Sequence, residues 1–318
     1  MSTKTDKIDR LAELTVKQSD GGGGRSLWVE AFNRLKRSPM AITGAIVIVI
    51  FVILAILGPF IAPYSPVAMN WGDEVSPARN VFIGPRAGNW LGLDAMGRDE
   101  FSRLLIGARQ SLMVGVVATG IGFVIGAFIG GISGAAMSLG GKVGRRIDAV
   151  VMRVIDIMLA LPSLLLALSV AAVIGQSLQT VMIAVGTVQI PIFARLLRGS
   201  MLAQANSDYV LASRALGVKR HRIVLSHVLP NSLGPVIVQA TLSLATAIID
   251  AAALSYLGLG NPDMSAPEWG VMLAQAQDYF GQAMQLAVYP ALAIIVTALG
   301  FTLFGEALRE SLDPKLRK

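Results

Sequence analysis

Three ionisable side chains stand inside long apolar stretches of this sequence, and they are the first candidates for chemistry. Arg153 and Asp156 lie three residues apart, a spacing that can pair them on one face of a helix. Asp250 lies in a separate apolar stretch. Because a charged group in hydrocarbon is costly, each of the three indicates a pathway for a polar solute or for protons. For Asp250, a structural hydrogen bond to a neighbouring helix is an equally strong interpretation.

Other chemistries find little support. A phosphate-binding loop needs G-x-x-x-x-G-K-[ST], and its nearest approach, at Gly141-Lys142, has Ala136 in place of the first glycine. His221 and His227 fall on different faces of a helix, which argues against zinc. The chain contains no cysteine, so thiolate metal sites and cysteine nucleophiles are excluded. We therefore expect no ATP hydrolysis by this chain, and no bound cofactor or metal.

The composition is that of a membrane protein. Hydrophobic residues make up 54% of the chain and charged residues only 15%, against about 25% charged residues in soluble domains. Six apolar runs are each close to or above the ~20 residues that a helix needs to cross the hydrocarbon layer. They cover residues 41–63, 111–137, 149–174, 178–198, 233–257 and 286–307.

Prolines and glycines suggest how these spans pack. Pro162, Pro191 and Pro290 lie inside spans, where kinks persist only if neighbouring groups satisfy the freed carbonyls. This pattern favours helices packed around a pathway. The second span carries a glycine at every fourth position, which predicts a face for close contact with another helix. The glycines are Gly122, Gly126, Gly130 and Gly134.

The basic residues predict the orientation. With the N-terminus placed inside, 22 of the 27 Lys and Arg residues fall on the inner side. Excess Lys and Arg mark the cytoplasmic side of a membrane protein. Both termini and the polar unit 207–231 are therefore predicted to be cytoplasmic. The net charge of +7 is then a topology signal spread over several loops, so no nucleic-acid partner is expected.

The N-terminal region has two parts. Residues 1–25 are polar and end in a run of glycines, which predicts a disordered tail. Residues 26–37 place Trp28, Phe32 and Leu35 on one face of a basic amphipathic helix. Such a helix can lie in the headgroup plane. A simple cluster of charges beside the membrane is an equally strong interpretation.

The polar unit 207–231 interrupts the apolar runs. Ser207 or Asp208 can cap a helix start with a side-chain oxygen. Gly217 is expected to stop that helix, because glycine adopts the left-handed conformation at no steric cost. A second short helix should follow and end at Pro230. The unit is thus predicted to form two short helices joined by a glycine elbow, lying flat at a membrane face.

The two short helices have predicted faces. Tyr209, Ala212 and Leu216 share one side of the first helix by the i, i+3, i+7 spacing. Ile223 and His227 lie along one side of the second helix.

This unit resembles the cytoplasmic coupling loop of ABC-importer permeases, whose motif is E-A-A, three residues, Gly, nine residues, then I-x-L-P. Ala212 matches the first alanine, with Ser213 in place of the second. Gly217 matches the glycine, and Leu229 with Pro230 the closing pair. The glutamate of the motif is absent. In that family the loop sits in a groove of the ATP-hydrolysing subunit. An ordinary basic loop between two spans is the alternative.

The outer segments resemble the second, C-type permease subunit of dipeptide, oligopeptide and nickel importers. Its W-x-G-T-D-x-x-G-R-D…S-R…G-x-R-x-S-L signature is matched by Trp90, Asp94, Gly97, Arg98, Asp99, Ser102, Arg103, Gly107, Arg109, Ser111 and Leu112. Its L-S-F-L-G-L-G…P…W-G segment is matched by residues 254–260, Pro267, Trp269 and Gly270. Arg153, Asp156 and Pro162 match a third-span pattern of the same family. The three tryptophans of these segments, Trp71, Trp90 and Trp269, could anchor at the membrane interface or form a docking surface.

The resemblance implies an all-α polytopic membrane protein with six transmembrane helices and the type I ABC importer permease fold. It divides the chain into an interfacial helix and first span (26–63), an extracytoplasmic segment (64–110), a five-helix core (111–307) and a cytoplasmic tail (308–318). It also implies a heterodimer with a homologous permease, two cytoplasmic ATP-binding subunits that hold ATP and Mg, and an external solute-binding protein. Small peptides are the expected solute, and a bacterial inner membrane the expected location.

The resemblance also implies which residues contact the ATP-hydrolysing subunit. Tyr209, Ala212, Ser213, Leu216, Gly217, Leu229 and Pro230 would meet the ATPase, with Gly217 as the elbow. The competing hypothesis is a proton-coupled secondary transporter that titrates Asp156 or Asp250. Such a transporter usually has an internal repeat, and none is evident in the sequence. A purely structural scaffold is a third, weaker hypothesis.

Overall fold

The chain folds into a bundle of helices. The computed structural model describes residues 27–263 and 265–312, apart from the side chains of 27–30. The predicted disordered tail 1–25, the side chain of Trp28 and the last residues of the predicted tail 308–318 lie outside the described residues. Within the described part there is no strand, only isolated bridges.

Eleven α-helices follow one another in the described part of the chain. They are α1 (Leu27–Leu35), α2 (Pro39–Ile61), α3 (Glu100–Leu139), α4 (Gly141–Ala160), α5 (Ser163–Ile174), α6 (Leu178–Gln204), α7 (Asp208–Ala215), α8 (Arg220–Ile223), α9 (Leu229–Tyr256), α10 (Trp269–Ala276) and α11 (Gln285–Leu312). A π-helical turn, Val224–Val228, joins α8 to α9.

Five of the described helices are long and apolar enough to cross a membrane: α2, α3, α6, α11 and the helix that runs from α8 through α9. A sixth span results if α4 and α5 count as one. The longest, α3, has 40 residues, so it extends about 60 Å at 1.5 Å per residue. That is about twice the hydrocarbon thickness, so α3 must project well beyond the bilayer.

The start of α3 corrects the prediction for segment 64–110. The second span was predicted to begin at residue 111, but α3 begins at Glu100. Asp99 is its N-cap, and its side chain accepts a hydrogen bond from the backbone N–H of Ser102. The last part of the predicted extracytoplasmic segment is therefore helical and continuous with the span.

The predicted third span, 149–174, is broken. Helices α4 and α5 meet at an angle of 97°. Leu161, with φ −85° and ψ 138°, has an extended backbone just before Pro162. The cause is steric, because a proline ring disfavours the helical conformation of the residue that precedes it. The chain turns sharply here instead of crossing in one straight helix.

The predicted glycine face is confirmed as a packing surface between α3 and α6. A Cβ atom added at Gly126 would lie 2.5 Å from the carbonyl oxygen of Ile190, and one at Gly130 would lie 2.2 Å from that of Ala194. Gly122 meets the Cβ of Gln189 at 2.5 Å in the same way. Since real Cβ atoms do not come this close to backbone, the two helices are in contact through their main chains.

Glycines also join α2 to the rest of the bundle. A Cβ at Gly44 would lie 2.6 Å from the backbone nitrogen of Phe304 in α11. A Cβ at Gly58 would lie 2.8 Å from the carbonyl oxygen of Leu105 in α3. Most of the large side chains of α2 remain exposed, whereas Ala55 joins the buried core and Ile48, Phe51 and Leu54 pack against it.

Gly130→Ala tests the α3–α6 contact. The added methyl group meets the backbone of Ala194, which cannot rotate away, so the helices must separate. We expect a loss of stability of about 1–3 kcal/mol, the usual cost of overpacking, seen as a lower thermal midpoint in detergent. Gly120→Ala is the matched control on the same helix, because nothing lies within 4 Å of its added Cβ. Equal midpoints for the two variants would contradict the close contact.

Candidate functional site

The glycine elbow of unit 207–231 is present. Gly217 follows α7 with φ +76°, and no atom lies within 4 Å of a Cβ placed there. The need for glycine is therefore conformational. The backbone N–H of Val218 donates to the carbonyl of Ser213 at 3.1 Å, and that of Gly217 donates to the carbonyl of Arg214 at 3.0 Å. This pair of bonds is the Schellman arrangement that ends a helix at a left-handed residue.

The start of α7 differs from the prediction. Ser207 occupies the N-cap position, but its side chain makes no capping bond. Its hydroxyl donates instead to the carbonyl oxygen of Gln204 at 2.6 Å. The Tyr209 hydroxyl donates to the side-chain oxygen of the same glutamine at 2.9 Å. Carbonyls in the last turn of a helix lack intrahelical partners. The Ser207 hydroxyl bonds to such a carbonyl at the end of α6 and is therefore not used to cap α7.

One face of α7 is anchored and the other is open. Val210 is fully buried, in a cluster with Phe193 and Leu197 of α6 and with Ile223. The predicted docking residues Tyr209, Ala212 and Leu216 are exposed, Leu216 to 84%. Ser213 is half-buried, and its hydroxyl donates to the carbonyl oxygen of Tyr209 at 2.7 Å.

The second half of the unit corrects the prediction of a separate short helix that ends at Pro230. Helix α8 continues through the π-turn into α9, with Leu229 half-buried and Pro230 exposed near the start of α9. Proline lacks the N–H that an α-helical turn would use, and the widened turn before it ends with Leu229 N–H bonded to the carbonyl of Val224. The polar unit therefore merges with a membrane span.

Arg220 connects the elbow to the inner corner of the bundle. Its guanidinium donates to the carbonyl oxygen of Leu139, the last residue of α3, at 3.1 Å. Gly140 and Gly141 turn the chain from α3 to α4 with φ of +79° and +90°. The elbow is thus tied to α6 by Val210, to α9 through the continuous helix, and to α3 by this bond.

The predicted pairing of Arg153 with Asp156 is wrong. Asp156 pairs with Arg195 of α6, and both side chains are half-exposed. A second carboxylate on α4, Asp148, accepts from Arg198 of α6, with Nη2 2.7 Å from Oδ2. In the sequence, both arginines of α6 were predicted only to mark the cytoplasmic side. Arg195 and Arg198 are three residues apart and so share one face of α6, the face that meets α4. Pairing the charged residues of this face with the carboxylates of α4 would have predicted both ion pairs.

The polar groups inside the spans have different surroundings. The hydroxyl of Ser133 on α3 donates to Asp148 at 2.5 Å, so this carboxylate joins three helices. Asp250 is half-buried on α9. Among the described residues its side chain has no hydrogen bond or ion pair, so the helix-to-helix hydrogen bond weighed for it is not found. Arg153 is exposed.

The outer signature residues form a buried ion cluster that sequence analysis did not assign as a site. Arg98 and Arg103 are almost completely buried. Both face Asp94, whose Oδ2 lies 2.6 Å from Nε of Arg98 and 3.5 Å from Nε of Arg103. Both also donate to the side-chain oxygen of Gln275 in α10, at 3.0 and 3.2 Å. The cluster therefore fastens the segment before α3 to the helix before α11.

Further bonds extend this cluster around the start of α3. Arg103 donates to the carbonyl oxygens of Pro66 and Ser265 at 3.0 and 3.1 Å. Asp99 accepts from the side-chain amide of Asn89 at 2.9 Å. The arginine thus satisfies backbone groups of two separate loops, which would otherwise lose hydrogen bonds on burial.

Trp269 belongs to the same region. It is 1% exposed, its indole N–H donates to the carbonyl oxygen of Leu104 at 3.0 Å, and its backbone N–H donates to the Ser111 hydroxyl at 3.3 Å. It is therefore a core residue, which corrects the expectation of an interfacial anchor or docking residue. Trp90 is exposed, whereas Trp71 is half-buried and packs edge-on against Tyr64.

Glu268, the residue before Trp269, is a buried acid. Its Oε1 accepts from the Ser255 hydroxyl at 2.8 Å, while its Oε2 has no partner among the described residues. Burial raises the pKa of this carboxyl to about 7, against a small opposing effect of the hydrogen bond from Ser255. The described residues contain no group of three or more His, Asp or Glu side chains that could hold a metal ion.

Comparison with known proteins decides the family. Residues 132–318 match the family described as the binding-protein-dependent transport system inner membrane component. Residues 26–80 match the N-terminal TM domain of oligopeptide transport permease C. The chain belongs to this permease family. The resemblance read from the coupling loop and the outer signatures is therefore confirmed, and the comparisons do not favour a proton-coupled secondary transporter.

The permease has curated relatives along nearly its whole length. The dipeptide transport system permease protein DppC of Alkalihalophilus pseudofirmus is 41% identical over 92% of this chain and 91% of its own. The probable D,D-dipeptide transport system permease protein DdpC of Escherichia coli K12 is 40% identical over 94% of each chain. The glutathione transport system permease protein GsiD of Escherichia coli O6:K15:H31 is 40% identical over 92% of each chain.

A solved structure shares the permease fold. A chain of the MetNI methionine ABC transporter in an inward-facing conformation aligns with a TM-score of 0.53 at 21% identity, covering 66% of this chain and 96% of that one. A second crystal form aligns with a TM-score of 0.51. The expected all-α ABC importer permease fold is confirmed, with the third span bent as described above.

Asp94→Ala tests the ion cluster of the permease. It removes the carboxylate that faces both buried guanidinium groups, so we expect destabilisation of about 3–5 kcal/mol, as for other broken buried pairs. Glu74→Ala is the matched control, because its pair with Arg86 is partly exposed and should contribute at most about 1 kcal/mol. Thermal unfolding in detergent measures both. If Asp94→Ala lowers the thermal midpoint no more than Glu74→Ala does, the ion cluster has no structural role.

Glu268→Gln tests the buried acid. A carboxyl whose pKa is about 7 in the folded chain and ordinary when unfolded favours folding at low pH. This contribution is fully present below about pH 4.5 and is lost as pH rises to about 7, by an amount of the order of 3 kcal/mol. Between these pH values the stability of Glu268→Gln should therefore fall less than that of the wild type. Identical pH profiles of the thermal midpoint would show that Glu268 does not titrate in this range.

Proposed function

We propose that this chain is the C-type permease subunit of an ATP-driven importer of di- or oligopeptides. The observation that carries this proposal is the 41% identity with a dipeptide permease across 92% of the chain. The relatives named above are permeases for dipeptides, D,D-dipeptides and glutathione, all short compounds with amide bonds. A short peptide is therefore the solute class that best fits this chain.

The importer would contain further subunits. A homologous permease would complete the translocation pathway, two cytoplasmic subunits would bind ATP and Mg and hydrolyse ATP, and an external protein would deliver the solute. This chain would itself be non-catalytic. The excess of Lys and Arg in the N-terminal region, unit 207–231 and the tail supports cytoplasmic termini in a bacterial inner membrane.

The exposed side of the elbow is the proposed contact with an ATPase. Tyr209, Ala212 and Leu216 would enter the groove of that subunit, since exposed apolar side chains beside a polar surface favour a protein partner. Gly217 sets the angle between this face and α8. Ser213 would stabilise α7 through its bond to the carbonyl of Tyr209. Leu229 and Pro230 would connect the π-turn to α9.

The elbow has routes by which it would move the spans. Closure of the ATPases around ATP would displace α7, and α8 would pass this displacement to α9 because the two are one helix. Val210 would carry it to α6, and Arg220 to the end of α3. The pathway would open outward in the ATP-bound state and return on hydrolysis. Asp156, Asp250 and Arg153 are polar groups within or beside the spans and are candidates for the lining of that pathway.

Uptake by the complete importer tests the function and the elbow together. Membrane vesicles that hold all subunits are given labelled dialanine with and without ATP. We expect uptake that needs ATP and the binding protein, and that survives an uncoupler. Gly217→Val should insert normally but lose most uptake, because a β-branched residue is strained at positive φ, while ATP hydrolysis continues.

The control is Gly199→Val, at an exposed helical position without positive φ and with open space around its Cβ. It should retain uptake. Uptake by Gly217→Val at the wild-type rate would contradict the elbow. Uptake that persists without ATP and collapses with the uncoupler would contradict the importer.

A further inference from the structure

An apolar groove runs beside the first span. It lies between α1, α2 and the side chain of Phe304 in α11, and its volume is about 510 Å³. The lining includes Phe32 of α1, Lys36, which follows α1, and Ala41, Ala45, Ile46 and Ile50 of α2. The only charged member of this set is Lys36, which stands at the end where α1 meets α2.

The groove has a fixed wall. Gly44 brings the backbones of α2 and α11 together at Phe304. This main-chain contact holds the ring of Phe304 beside α2. Helix α1 closes the end of the groove near Lys36. Ala31 of α1 is buried there, and the Ser38 side chain caps the start of α2. The groove is therefore formed by elements that pack on one another, and it is not a gap between mobile side chains.

The length of the groove matches one leaflet. Its residues on α2 run from Ala41 to Ile50, which is about 14 Å at 1.5 Å per residue. Half of a hydrocarbon layer of about 30 Å is about 15 Å. An acyl chain that enters beside Lys36 would therefore reach the middle of the bilayer at Ile50.

The mouth of the groove carries positive charge. Arg34 lies in the last turn of α1, and Lys36 and Arg37 follow it. Lys36 and Arg37 are exposed, and the ammonium group of Lys36 lies 4.3 Å from the centre of the Phe32 ring, at the entrance. Basic pockets beside membrane spans attract anionic lipid headgroups. An occupant with an apolar tail and an anionic head satisfies both ends of the groove.

We propose that this groove binds one anionic phospholipid, with an acyl chain along α2 and its phosphate at Arg34, Lys36 and Arg37. The lipid would bridge α1, α2 and α11 on the side of the first span where Ile42, Ile46 and Val49 are exposed. A helix of a second polypeptide, or the residues that precede Leu27, are the other possible occupants, and the experiment separates them from lipid.

The first experiment measures lipid selectivity. The full chain, in its complex, is placed in nanodiscs of phosphatidylglycerol and phosphatidylcholine in equal amounts, and retained lipid is counted by native mass spectrometry after release. We expect phosphatidylglycerol to be enriched. Lys36→Gln should lower that enrichment about fivefold, the effect of one basic group at a membrane surface. Arg146→Gln, an exposed basic residue on α4, should leave it unchanged.

A groove-filling variant tests the acyl site. Ala45→Trp places a large ring in the groove and should reduce retention of both lipids, whereas Val173→Trp, at a position 88% exposed on α5, should not. If neither Lys36→Gln nor Ala45→Trp changes lipid retention, the proposal is overturned. A thermal midpoint for Ala45→Trp close to that of wild type keeps misfolding from explaining a loss of lipid.

Cross-linking identifies the occupant directly. Because the natural chain has no cysteine, Ile46→Cys gives a single site for a benzophenone label inside the groove. We expect adducts with the mass of phosphatidylglycerol. Adducts that join position 46 mainly to another polypeptide, or to the residues before Leu27, would overturn the proposal and name the true occupant.

Discussion

The contact between α3 and α6 through main-chain atoms is the constraint on which the rest of the structure depends. In a bilayer the hydrophobic effect does not press helices together, so their association rests on close packing and on interhelical hydrogen bonds. Gly126 and Gly130 bring the two backbones to within van der Waals distance. A contact of this kind resists sliding, because each glycine fits only the residue that faces it. Helices α3 and α6 therefore behave as one unit, against which α4 and α9 pack.

That unit links the two ends of the molecule. At its N-terminal end α3 begins in the ion cluster, where Asp99 caps it and Arg103 binds the loops around it. At its C-terminal end the carbonyl of Leu139 accepts from Arg220 of the elbow. Since α3 is about 60 Å long, a single rigid helix extends from one side of the membrane to the other. The outer signature residues thus act as structural groups that hold the end of this helix.

Periodicity and composition in the sequence were enough to predict the helical class, the glycine face and the elbow. They did not predict the partners of charged groups. Asp156 was paired with Arg153 because both lie on one helix, yet its partner is Arg195, which comes close only when α4 packs on α6. Spacing along a helix says which residues share a face, whereas the register between helices depends on tertiary packing.

The same limit explains the errors at the segment boundaries. The second span was predicted from its apolar run, placed at residues 111–137, whereas α3 begins at Glu100. The charged residues before that run are largely buried, and a sequence does not distinguish a buried ion pair from an exposed charge. Pro230 was expected to end a helix, but a proline in the first turn of a helix is tolerated, and the π-turn before it keeps α8 and α9 continuous. Pro162 was placed inside a span, and the extended conformation of Leu161 turns the chain by 97° there.

Two helices, α3 and α9, connect the elbow to the region of the ion cluster, so the displacement proposed for the elbow would reach both ends of the bundle. The inner end of α9 is continuous with α8, and its outer end holds Ser255, which donates to Glu268 beside the buried Trp269. A Cβ added at Gly270 would lie 2.8 Å from the backbone of Ala252, so α10 packs closely on this end of α9. Under the proposed coupling, a displacement of α6 would also reach α4, because Asp148 and Asp156 of α4 pair with Arg198 and Arg195 of α6.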